Sequence, residues 1–405
     1  MKDMNRNQSF WANCWADVLL ITIVSVFFAA NIDLSRISPS VLYKSSNSEE
    51  SFTTDLFFRI SNSSAEPRII PDITLITIDS LKTREEIAMF LAQVVNMNPK
   101  MVGIDIGFPK NGDTAGDSLL VDFCNNDKLI RKCVFANEYN IKDKELPQVS
   151  HSFFLNGADS YREGYTNFIY DEKYMNVRQY RLEKETCEGK QLSLSYRMVT
   201  SVNDNHGLSN IEKDKVGYID YRQKSFNELS PNQLDCDMIR DKWVLVGSLS
   251  KSHDIYNTPI GIIPGLKIHA YTLESILEGN RIHPSSPVWD WIILTLVCFF
   301  SVLGLVYVDY VILKSENAIW GIILKEGIFT FILVFLQVSV LMFGAYLLFE
   351  YLDLFFNMQS SLNGALFVVA VIKSLHSIIM ALLYKSKIAK PVLKYFMYYS
   401  QNDKS

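Results

Sequence analysis

The chain has 405 residues, of which 48% are hydrophobic, and a formal net charge of −5 at pH 7. Two or three domains fit this length, and the acidic balance gives no basic surface for DNA or RNA, so no nucleic acid is expected as a partner. Hydrophobic residues are unevenly distributed: residues 33–285 have an ordinary polar composition, whereas residues 287–384 contain long apolar runs. The composition therefore predicts a polar folded domain attached to membrane helices.

The first apolar segment, residues 14–32, predicts a transmembrane helix that follows a short cytoplasmic terminus, residues 1–13. Lys2 and Arg6 precede the segment, and positive charges of this kind stay in the cytoplasm. A cleaved signal peptide is the alternative, because the uninterrupted apolar core is short. The full segment is long enough to cross a bilayer, which favours an uncleaved anchor. Either interpretation places residues 33–286 outside the cytoplasm.

Three further transmembrane helices are predicted in the last third of the chain, over residues 287–313, 327–349 and 352–373. Lysines lie in the first link between these helices and throughout the tail, residues 374–405, as they do before the first helix. Because positive charge marks the cytoplasmic side of a membrane protein, the sequence predicts four spans with both termini in the cytoplasm.

In the outer domain, strand and helix patterns alternate along the chain. Strands are predicted at Ile73–Ile78, Met101–Ile106 and Cys133–Tyr139, where apolar residues form short runs. Helical spacing of apolar residues predicts helices at Arg84–Met97 and Thr114–Cys124. Alternation of this kind is typical of an α/β domain with a mainly parallel sheet and helices packed on it.

The second half of the outer domain has a looser pattern that still predicts regular elements. Gly164–Arg181 indicates two strands joined by a turn, Gln191–Thr200 a helix and Val216–Tyr221 a further strand. Trp243–Val246 is a short apolar run, and we expect it near the centre of the sheet.

A long loop with several Gly and Pro residues, Ser248–Leu266, follows this strand, and helical spacing begins at Lys267. The shape of the loop is attributed to residues with special backbone geometry, since Pro fixes φ and Gly permits positive φ. These structural residues are Gly247, Pro259, Pro264 and Gly265.

Four of the six cysteines lie in the outer domain: Cys124, Cys133, Cys187 and Cys236. An even number outside the cytoplasm predicts disulfides, and pairing Cys124 with Cys133 and Cys187 with Cys236 needs no long-range assumption. A redox switch at the first pair is the less favoured alternative. The spacings contain no CxxC, so no metal site is expected.

No sequence motif of an enzyme is found in the chain. The segment GIIPG at Gly261–Gly265 lacks the Lys and Ser/Thr of a phosphate-binding loop, and there is no GxSxG or HExxH motif. The chain is therefore not expected to be an enzyme, and neither a cofactor nor a catalytic residue is predicted.

Four residues are candidates for binding a ligand: Asp79, Asp105, Asp254 and His269. Asp79 and Asp105 lie at or near the carboxyl ends of predicted strands, at the sheet edge where α/β folds place ligand sites, and there they can converge with Asp254 in a crevice. The alternative is that these aspartates cap the loops that follow the strands. His269 lies at the start of the last helix of the domain, either as a pH-sensing group or as a packed residue.

Three segments of the outer domain resemble the CHASE2 domain family. They are IDI-x-F at Ile104–Phe108, GY-x-NF with a following Arg at Gly164–Arg178, and DKWVLVGS…D-x-Y-x-TPIG…PGLKIHAYTLESIL at Asp241–Leu277. The last segment is the most specific, and the layout of one span before the domain and three after it also matches the family. At Tyr174–Arg178 the chain lacks the Gly that family members tend to have before the Arg.

The resemblance implies an extracytoplasmic sensory domain of a bacterial membrane receptor, held in the inner membrane. Family members usually carry a cytoplasmic output module, whereas the residues after Lys385 are too few for a catalytic domain. We therefore expect a sensor subunit that detects an unknown extracytoplasmic ligand or protein and relays the signal to a separate cytoplasmic effector.

Other partners and two alternative functions are also considered. Membrane lipid is an expected partner of the spans and of the basic tail, and a homodimer is expected by analogy with membrane receptors. The first alternative function is an envelope scaffold without signalling. The second is an extracytoplasmic enzyme that uses Asp79, Asp105 and Asp254.

Overall fold

The computed structural model describes residues 18–27, 48–64, 66–108, 114–140, 146–155, 162–170, 176–202, 216–252, 254–279, 281–314 and 328–355. The chain divides into two compact units. The outer unit contains Thr54–His283, and the helical unit combines Met1–Thr53 with Pro284–Ser405.

The described helices are α1 (Val18–Phe27), α2 (Ser48–Ser64), α3 (Arg84–Asn96), α4 (Thr114–Asn125), α5 (Asp127–Ile130), α6 (Leu194–Ser201), α7 (Cys236–Ile239), α8 (Gly265–Leu277), α9 (Pro287–Lys314) and α10 (Ile328–Leu352). The described strands are β1 (Arg68–Thr77), β2 (Met101–Ile104), β3 (Cys133–Asn140), β4 (Gln148–Ser150), β5 (Glu163–Tyr165), β6 (Ile169–Tyr170), β7 (Val177–Arg181), β8 (Glu183–Thr186), β9 (Gly189–Leu192), β10 (Val216–Tyr218), β11 (Lys224–Leu229), β12 (Trp243–Gly247), β13 (Ile255–Thr258), β14 (Gly261–Pro264), β15 (His283–Pro284) and β16 (Leu354–Phe355).

The outer unit is built on a sheet with the strand order β11-β1-β12-β2-β3-β4, and β5 also pairs with β3. Every pairing in it is parallel except that of β3 with β4. β12 lies between β1 and β2, where Leu245 is opposite Leu75 on one side and Gly103 on the other. This arrangement confirms the predicted central position of β12 and the prediction of a mixed α/β domain with a largely parallel sheet.

Helices cover both faces of this sheet. On one face, Val102 of β2 packs in a core with Leu91 of α3 and Leu120 of α4. Because side chains alternate along a strand, position 103 faces the opposite side, where a Cβ on Gly103 would meet Met198 of α6. α6 and α8 contact each other and the strands on that side. The outer unit therefore has three layers, with the sheet in the middle.

Two helices of the outer unit begin in different ways. α3 starts with a capping box, in which the Glu86 amide donates to Thr83 Oγ1 and the Thr83 amide donates to Glu86 Oε2, both at 3.2 Å. α8 starts after Pro264 without a side-chain cap, and its residues are buried from Gly265 to Ile276 except for Lys267. Burial on almost every side makes α8 the central helix of its layer.

The segment predicted as a long loop, Ser248–Leu266, contains a hairpin. β13 and β14 pair antiparallel with Thr258 opposite Gly261, and the Thr258 hydroxyl donates to the Gly261 carbonyl at 2.6 Å. Pro259 and Ile260 form a two-residue connection, which is typical of hairpins. The loop prediction is wrong here, because Gly and Pro at the turn and at the strand ends concealed two short strands.

Smaller differences from the predicted elements occur in the second half of the outer unit. β10 joins β7 and β6 in a separate sheet, and β8 pairs with β9. α6 begins at Leu194, because the Ser193 side chain accepts the amide of Tyr196 at 3.4 Å and caps the helix. Gln191, which was predicted to be helical, lies in β9.

The predicted disulfides are not formed: Cys124, Cys133, Cys187 and Cys236 are all free thiols. Cys133 begins β3 inside the core, where its thiol donates to the Leu129 carbonyl at 3.6 Å and burial raises its pKa. Cys187 follows β8 and Cys236 begins α7, and both are exposed. Both predicted pairings are wrong, because closeness in sequence does not ensure the distance and orientation that a disulfide requires.

Among the described residues of the helical unit, two helices are long and apolar enough to cross a membrane: Val288–Tyr307 within α9 and Phe335–Leu352 within α10. The predicted first span is described over the shorter apolar helix α1, in which Val18 and Ile21 pack in one core with residues of α9. The predicted count of four spans is not confirmed, and the last predicted span lies almost wholly outside the described residues.

A polar contact joins α9 to α10. The Ser301 hydroxyl lies 2.7 Å from the Val297 carbonyl and 2.8 Å from Gln337 Oε1. Gln337 Nε2 donates to the same Val297 carbonyl at 3.0 Å. Hydrogen bonds of this kind between apolar helices fix the level at which the two helices meet.

Candidate functional site

The candidate site lies at the carboxyl edge of the parallel sheet, where β1, β12 and β2 end beside the start of α8. The Asp105 amide donates to the Val246 carbonyl at 2.8 Å, so Asp105 continues the line of β2. A Cβ on Gly247 would lie 2.9 Å from the Leu266 side chain and 3.2 Å from Asp105 Cβ. Glycine at position 247 therefore allows the first turn of α8 to approach Asp105 closely.

Asp79 is exposed, and hydrogen bonds occupy its carboxylate. Ser248 Oγ donates to Oδ1 at 2.5 Å, while Thr77 Oγ1 and the Leu249 amide donate to Oδ2 at 2.6 and 3.1 Å. Desolvation raises the pKa of Asp79, but these bonds outweigh it, so the pKa is lowered overall and the group stays ionised. This geometry matches the alternative in which Asp79 caps the ends of β1 and β12.

Asp254 supports the start of α8. Its φ of 52° lies in the left-handed region, and its carbonyl accepts the Gly265 amide at 2.8 Å. The Asp254 carboxylate accepts the Tyr256 hydroxyl at 2.5 Å, and a Cβ on Gly265 would collide with it. Because no side chain caps α8 after Pro264, the negative charge at this position is favourable for the helix dipole.

Asp105 and His269 face each other without a hydrogen bond. Nε2 of His269 lies 3.9 Å from Oδ2 of Asp105, beyond hydrogen-bond distance, and the two side chains are only 6% and 12% exposed. Neither side chain forms a hydrogen bond with any residue that the structure describes. Buried polar groups are normally paired, so Asp105 and His269 keep hydrogen-bonding capacity that no described residue uses.

Burial moves the pKa values of this pair in opposite directions. Desolvation, followed by the negative charges of Asp254 and Glu138, raises the pKa of Asp105 to about 7. Desolvation lowers the pKa of His269 to about 3. At neutral pH His269 is therefore uncharged, and Asp105 is near the midpoint of its titration. A pH-sensing role of His269 is not supported, because its proton is lost far below physiological pH.

Two aromatic rings that were not predicted to have a role complete the site. The Phe168 ring centroid lies 4.6 Å from that of His269, at an angle of 33°, and 4.9 Å from that of Tyr256. The neighbouring Asn167 positions this segment, since its side chain accepts the Tyr139 amide at 2.9 Å and donates to the Tyr139 carbonyl at 3.2 Å. The GY-x-NF segment of the sequence, which contains both Asn167 and Phe168, is the feature that could have indicated this part of the site.

The structure brings together three of the four candidate residues. Asp105, Asp254 and His269 gather around the start of α8, whereas the Asp79 carboxylate is engaged by Ser248. Glu138 was missed by sequence reasoning, and no motif pointed to it. The site therefore combines carboxylates, a neutral imidazole and aromatic rings.

A second set of contacts attaches the β13–β14 hairpin to α2. Arg59 of α2 donates from Nε to the Pro259 carbonyl at 3.2 Å. Asp55 of the same helix accepts two hydrogen bonds from Arg178, at 2.9 and 2.7 Å, in a largely buried pair. Asn176, which forms an isolated bridge to β13, donates to Asp55 at 3.2 Å. α2 is thus attached to the turn of the hairpin through Arg59 and to β7 through Asp55.

A comparison with protein-family models agrees with the resemblance of the outer domain. The family model of the CHASE2 domain matches residues 21–306 of this chain. The matched range begins within α1, includes the whole outer unit and ends within α9. No curated protein and no solved structure is significantly similar to the chain.

Proposed function

The chain belongs to the CHASE2 domain family, whose members are extracytoplasmic sensory domains of membrane proteins, and on that premise we propose that it is a membrane-anchored sensor subunit. Its outer unit detects an extracytoplasmic signal, and its membrane helices relay the signal to a cytoplasmic effector on a separate chain. The observation that carries the proposal is the course of α8, which begins at the candidate site and ends shortly before α9 in the chain.

A buried charge network holds the far end of α8. Nζ of Lys224 in β11 forms ion pairs with Glu274 of α8, with Asp220 at 3.1 Å and with Glu278 at 3.6 Å. The Tyr271 hydroxyl donates to the Lys224 carbonyl at 2.9 Å. Because Lys224 attaches the last turns of α8 firmly to β11, the helix moves as one rigid element, and a displacement at its first turn is passed to β11 and to the segment before α9. This supports a role of α8 in the relay.

α2 supports a second route for the relay. It is attached to the hairpin through Arg59 and to β7 through the Asp55–Arg178 pair, and residues 28–47 join it to α1 in the sequence. A signal shifts the population of two arrangements of the hairpin only if it binds one of them better. We propose that such a shift reaches the membrane helices by two routes, through the segment that precedes the outer unit and through the segment that follows it.

The membrane arrangement is also part of the proposal. The outer unit lies outside the cytoplasm, at the inner membrane of a bacterium, with four spans and both termini in the cytoplasm. The two helices that are able to span a membrane support this arrangement. The basic tail, residues 374–405, docks the effector, and binding to anionic lipid is its alternative use. A homodimer is proposed by analogy with membrane receptors.

The proposal assigns no reaction to the chain. What supports a non-catalytic role is the state of two of the three aspartates that an extracytoplasmic enzyme would use. The carboxylates of Asp79 and Asp254 accept hydrogen bonds from Ser248 and Tyr256, so they are engaged in holding the local structure. An alanine triple at Asp79, Asp105 and Asp254 that abolishes a measured turnover would contradict this part of the proposal.

Truncation after Lys385 tests the relay in the full chain. The tagged chain is cross-linked in its own membranes and purified, and we expect a cytoplasmic protein to be recovered with the intact tail and lost with the truncated one. Equal recovery with both chains would show that the tail is not the dock. Recovery of envelope proteins alone would favour the scaffold function.

A second variant separates docking from signalling. Arg59→Ala releases α2 from the Pro259 carbonyl, and we expect it to change the activity of the recovered effector without reducing its recovery. Arg131→Ala is the matched control, because the Arg131 side chain is 73% exposed on the surface of the same unit. An effector whose activity is the same with Arg59→Ala and Arg131→Ala would argue against relay through α2.

A further inference from the structure

The candidate residues differ in whether their polar atoms are already used. The carboxylates of Asp79 and Asp254 accept hydrogen bonds from neighbouring side chains, whereas the side chains of Asp105 and His269 form none with any described residue. His269 is 5% exposed, and its Nε2 lies 3.9 Å from the Asp105 carboxylate. Two largely buried polar groups that face each other without a hydrogen-bond partner among the described residues mark a place where a ligand can supply hydrogen bonds.

The charge around this pair is negative, and the described residues supply no counterion to it. Asp254 and Glu138 both act on Asp105, and within the described chain no Lys or Arg forms an ion pair with any of these three carboxylates. His269 supplies no positive charge, since burial keeps its ring neutral. A bound cation would lower the electrostatic energy of all three carboxylates, whereas an anion would be repelled.

The aromatic rings favour an organic cation over a metal ion. Phe168 and Tyr256 are half-buried beside His269, and the faces of such rings attract cations. Among the residues that the structure describes, no group of three or more His, Cys, Asp or Glu is arranged to hold a metal ion. A metal ion would find Asp105 and His269 alone, fewer ligands than protein metal sites usually supply.

We propose that Asp105, His269 and Phe168 bind a small organic ammonium ion, which rests on the sensor function proposed above and names the class of its ligand. One N–H group of the ammonium ion donates to the Asp105 carboxylate and another to Nε2 of the neutral His269 ring, while the alkyl part lies against Phe168. The Asp254 carboxylate, at the start of α8, adds attraction at a longer distance.

Isothermal titration calorimetry on the full chain in lipid nanodiscs tests the ligand class. The probes are butylammonium, 1-butanol and butyrate, which share a chain and differ in charge. At pH 8 we expect butylammonium to bind, 1-butanol to bind about tenfold more weakly and butyrate not to bind. Equal binding of 1-butanol, or preferential binding of butyrate, would overturn the proposal. Binding of Zn²⁺ or Ca²⁺ through Asp105 without binding of butylammonium would also overturn it.

Variants connect the binding to the named residues. Asp105→Asn keeps the shape and removes the charge, and we expect it to weaken butylammonium binding about tenfold or more. Phe168→Leu leaves the carboxylate intact and is expected to weaken binding about threefold, so it provides a second test if Asp105→Asn folds poorly. Asp72→Asn is the matched control, since the Asp72 side chain is 72% exposed and pairs with Lys242. Unchanged affinity in both site variants would refute the assignment.

The pH dependence of binding gives a readout that a structural role of Asp105 would not change. The titratable groups that face Asp105 are Asp254, Glu138 and His269. As the pH falls from 8 to 6, Asp105 takes up a proton, and affinity for butylammonium is expected to fall about tenfold. The profile of Asp105→Asn is expected to be flat, and a wild-type profile equally flat would contradict the proposal.

The binding experiment and the effector experiment test different parts of the proposal, so a negative result in one does not decide the other. If butylammonium does not bind but the effector is recovered through the tail, the ligand class is wrong and the sensor function stands. If butylammonium binds and no effector is recovered, the ligand site stands and the proposed relay is wrong.

Discussion

The two ends of α8 are built in different ways. At its start, Asp105 and His269 face each other, largely buried, and neither side chain has a hydrogen bond to a described residue. At its end, Lys224 contacts three carboxylates, and the Ser275 hydroxyl accepts the Asp220 amide at 2.9 Å. Paired charges attach one end of the helix firmly to β11, whereas the polar groups at the other end have hydrogen-bonding capacity that a ligand can use. The contacts that anchor α8 therefore lie at its last turns, and the groups that are available to a ligand lie at its first turn.

The largest effect is expected from breaking the paired end. Lys224→Met removes a cation whose side chain is 10% exposed and leaves the Glu274 carboxylate buried without its partner. We expect the free energy of unfolding to fall by about 3–5 kcal/mol, the usual cost of an unpaired buried charge. Urea unfolding of the full chain in detergent at pH 7.5, followed by tryptophan fluorescence, measures this change.

A surface lysine provides the control for this experiment. The Lys190 side chain is 59% exposed, and its ion pair with Glu183 has a distance of 3.5 Å. Lys190→Met is expected to change the free energy of unfolding by less than about 0.5 kcal/mol. If Lys224→Met has an equally small effect, the network does not hold the end of α8.

Asp105→Asn is expected to have the opposite sign at the unpaired end. Its pKa is raised to about 7 in the folded state, so the contribution of this group to stability is full below the unfolded pKa of about 3.9 and is lost as the pH rises through 7. The variant cannot ionise, and we expect it to be about 2 kcal/mol more stable than the wild type at pH 8. Urea unfolding at pH 4, 6 and 8 measures the difference, which should vanish near pH 4. A variant that is less stable at pH 8 would show that Asp105 has a partner.

Asp79→Asn is expected to act in the opposite direction to Asp105→Asn, because the pKa of Asp79 is lowered by hydrogen bonds that outweigh desolvation. Its contribution to stability is present above the unfolded pKa and is lost as the pH falls through the folded pKa. We expect a loss of about 1 kcal/mol at pH 7, the usual value of such hydrogen bonds, and convergence with the wild type in acid. Thermal unfolding across this pH range checks both statements, and a gain in stability at pH 7 would place Asp79 with Asp105.

The smallest effect at neutral pH is expected for His269→Phe. The Phe ring fills the same space, and no hydrogen bond to a described residue is lost, so we expect a change of about 0.5 kcal/mol at pH 7. Because the pKa of His269 is lowered to about 3, the wild type loses stability as the pH falls below the unfolded pKa of about 6.5. The difference should then widen in favour of the variant. Thermal unfolding at pH 7 and pH 5 tests this, and a constant difference would mean that the ring is not kept neutral by burial.

Local patterns were sufficient to predict much of the main sheet. The apolar runs at β1, β2, β3 and β12 mark buried strands because both faces of the sheet are covered by helices. The β13–β14 hairpin was missed, because its strands are short and its turn contains Pro259. The disulfides were predicted wrongly from spacing, since the direction in which Cys133 points is set by the packing of α5 and β3.

The candidate site was predicted only in part, for a different physical reason. Asp105 and His269 were found because strand ends and helix starts are visible in a sequence. Phe168 contacts the His269 ring from the segment between β5 and β6, and the charge of Glu138 in β3 acts on Asp105, so both effects depend on how β3 and the segment after β5 lie against α8. The lack of hydrogen bonds at Asp105 could be seen only with the side chains in place.

The contact of Gln337 with Val297 and Ser301 has a consequence for biosynthesis. A glutamine amide that enters hydrocarbon alone loses its hydrogen bonds to water without compensation. The groups that satisfy it belong to α9, which is synthesised first, at distances of 3.0 Å from the carbonyl and 2.8 Å from the hydroxyl. We therefore expect α10 to enter the bilayer only after it has packed against α9, so that the two helices insert together as one hairpin.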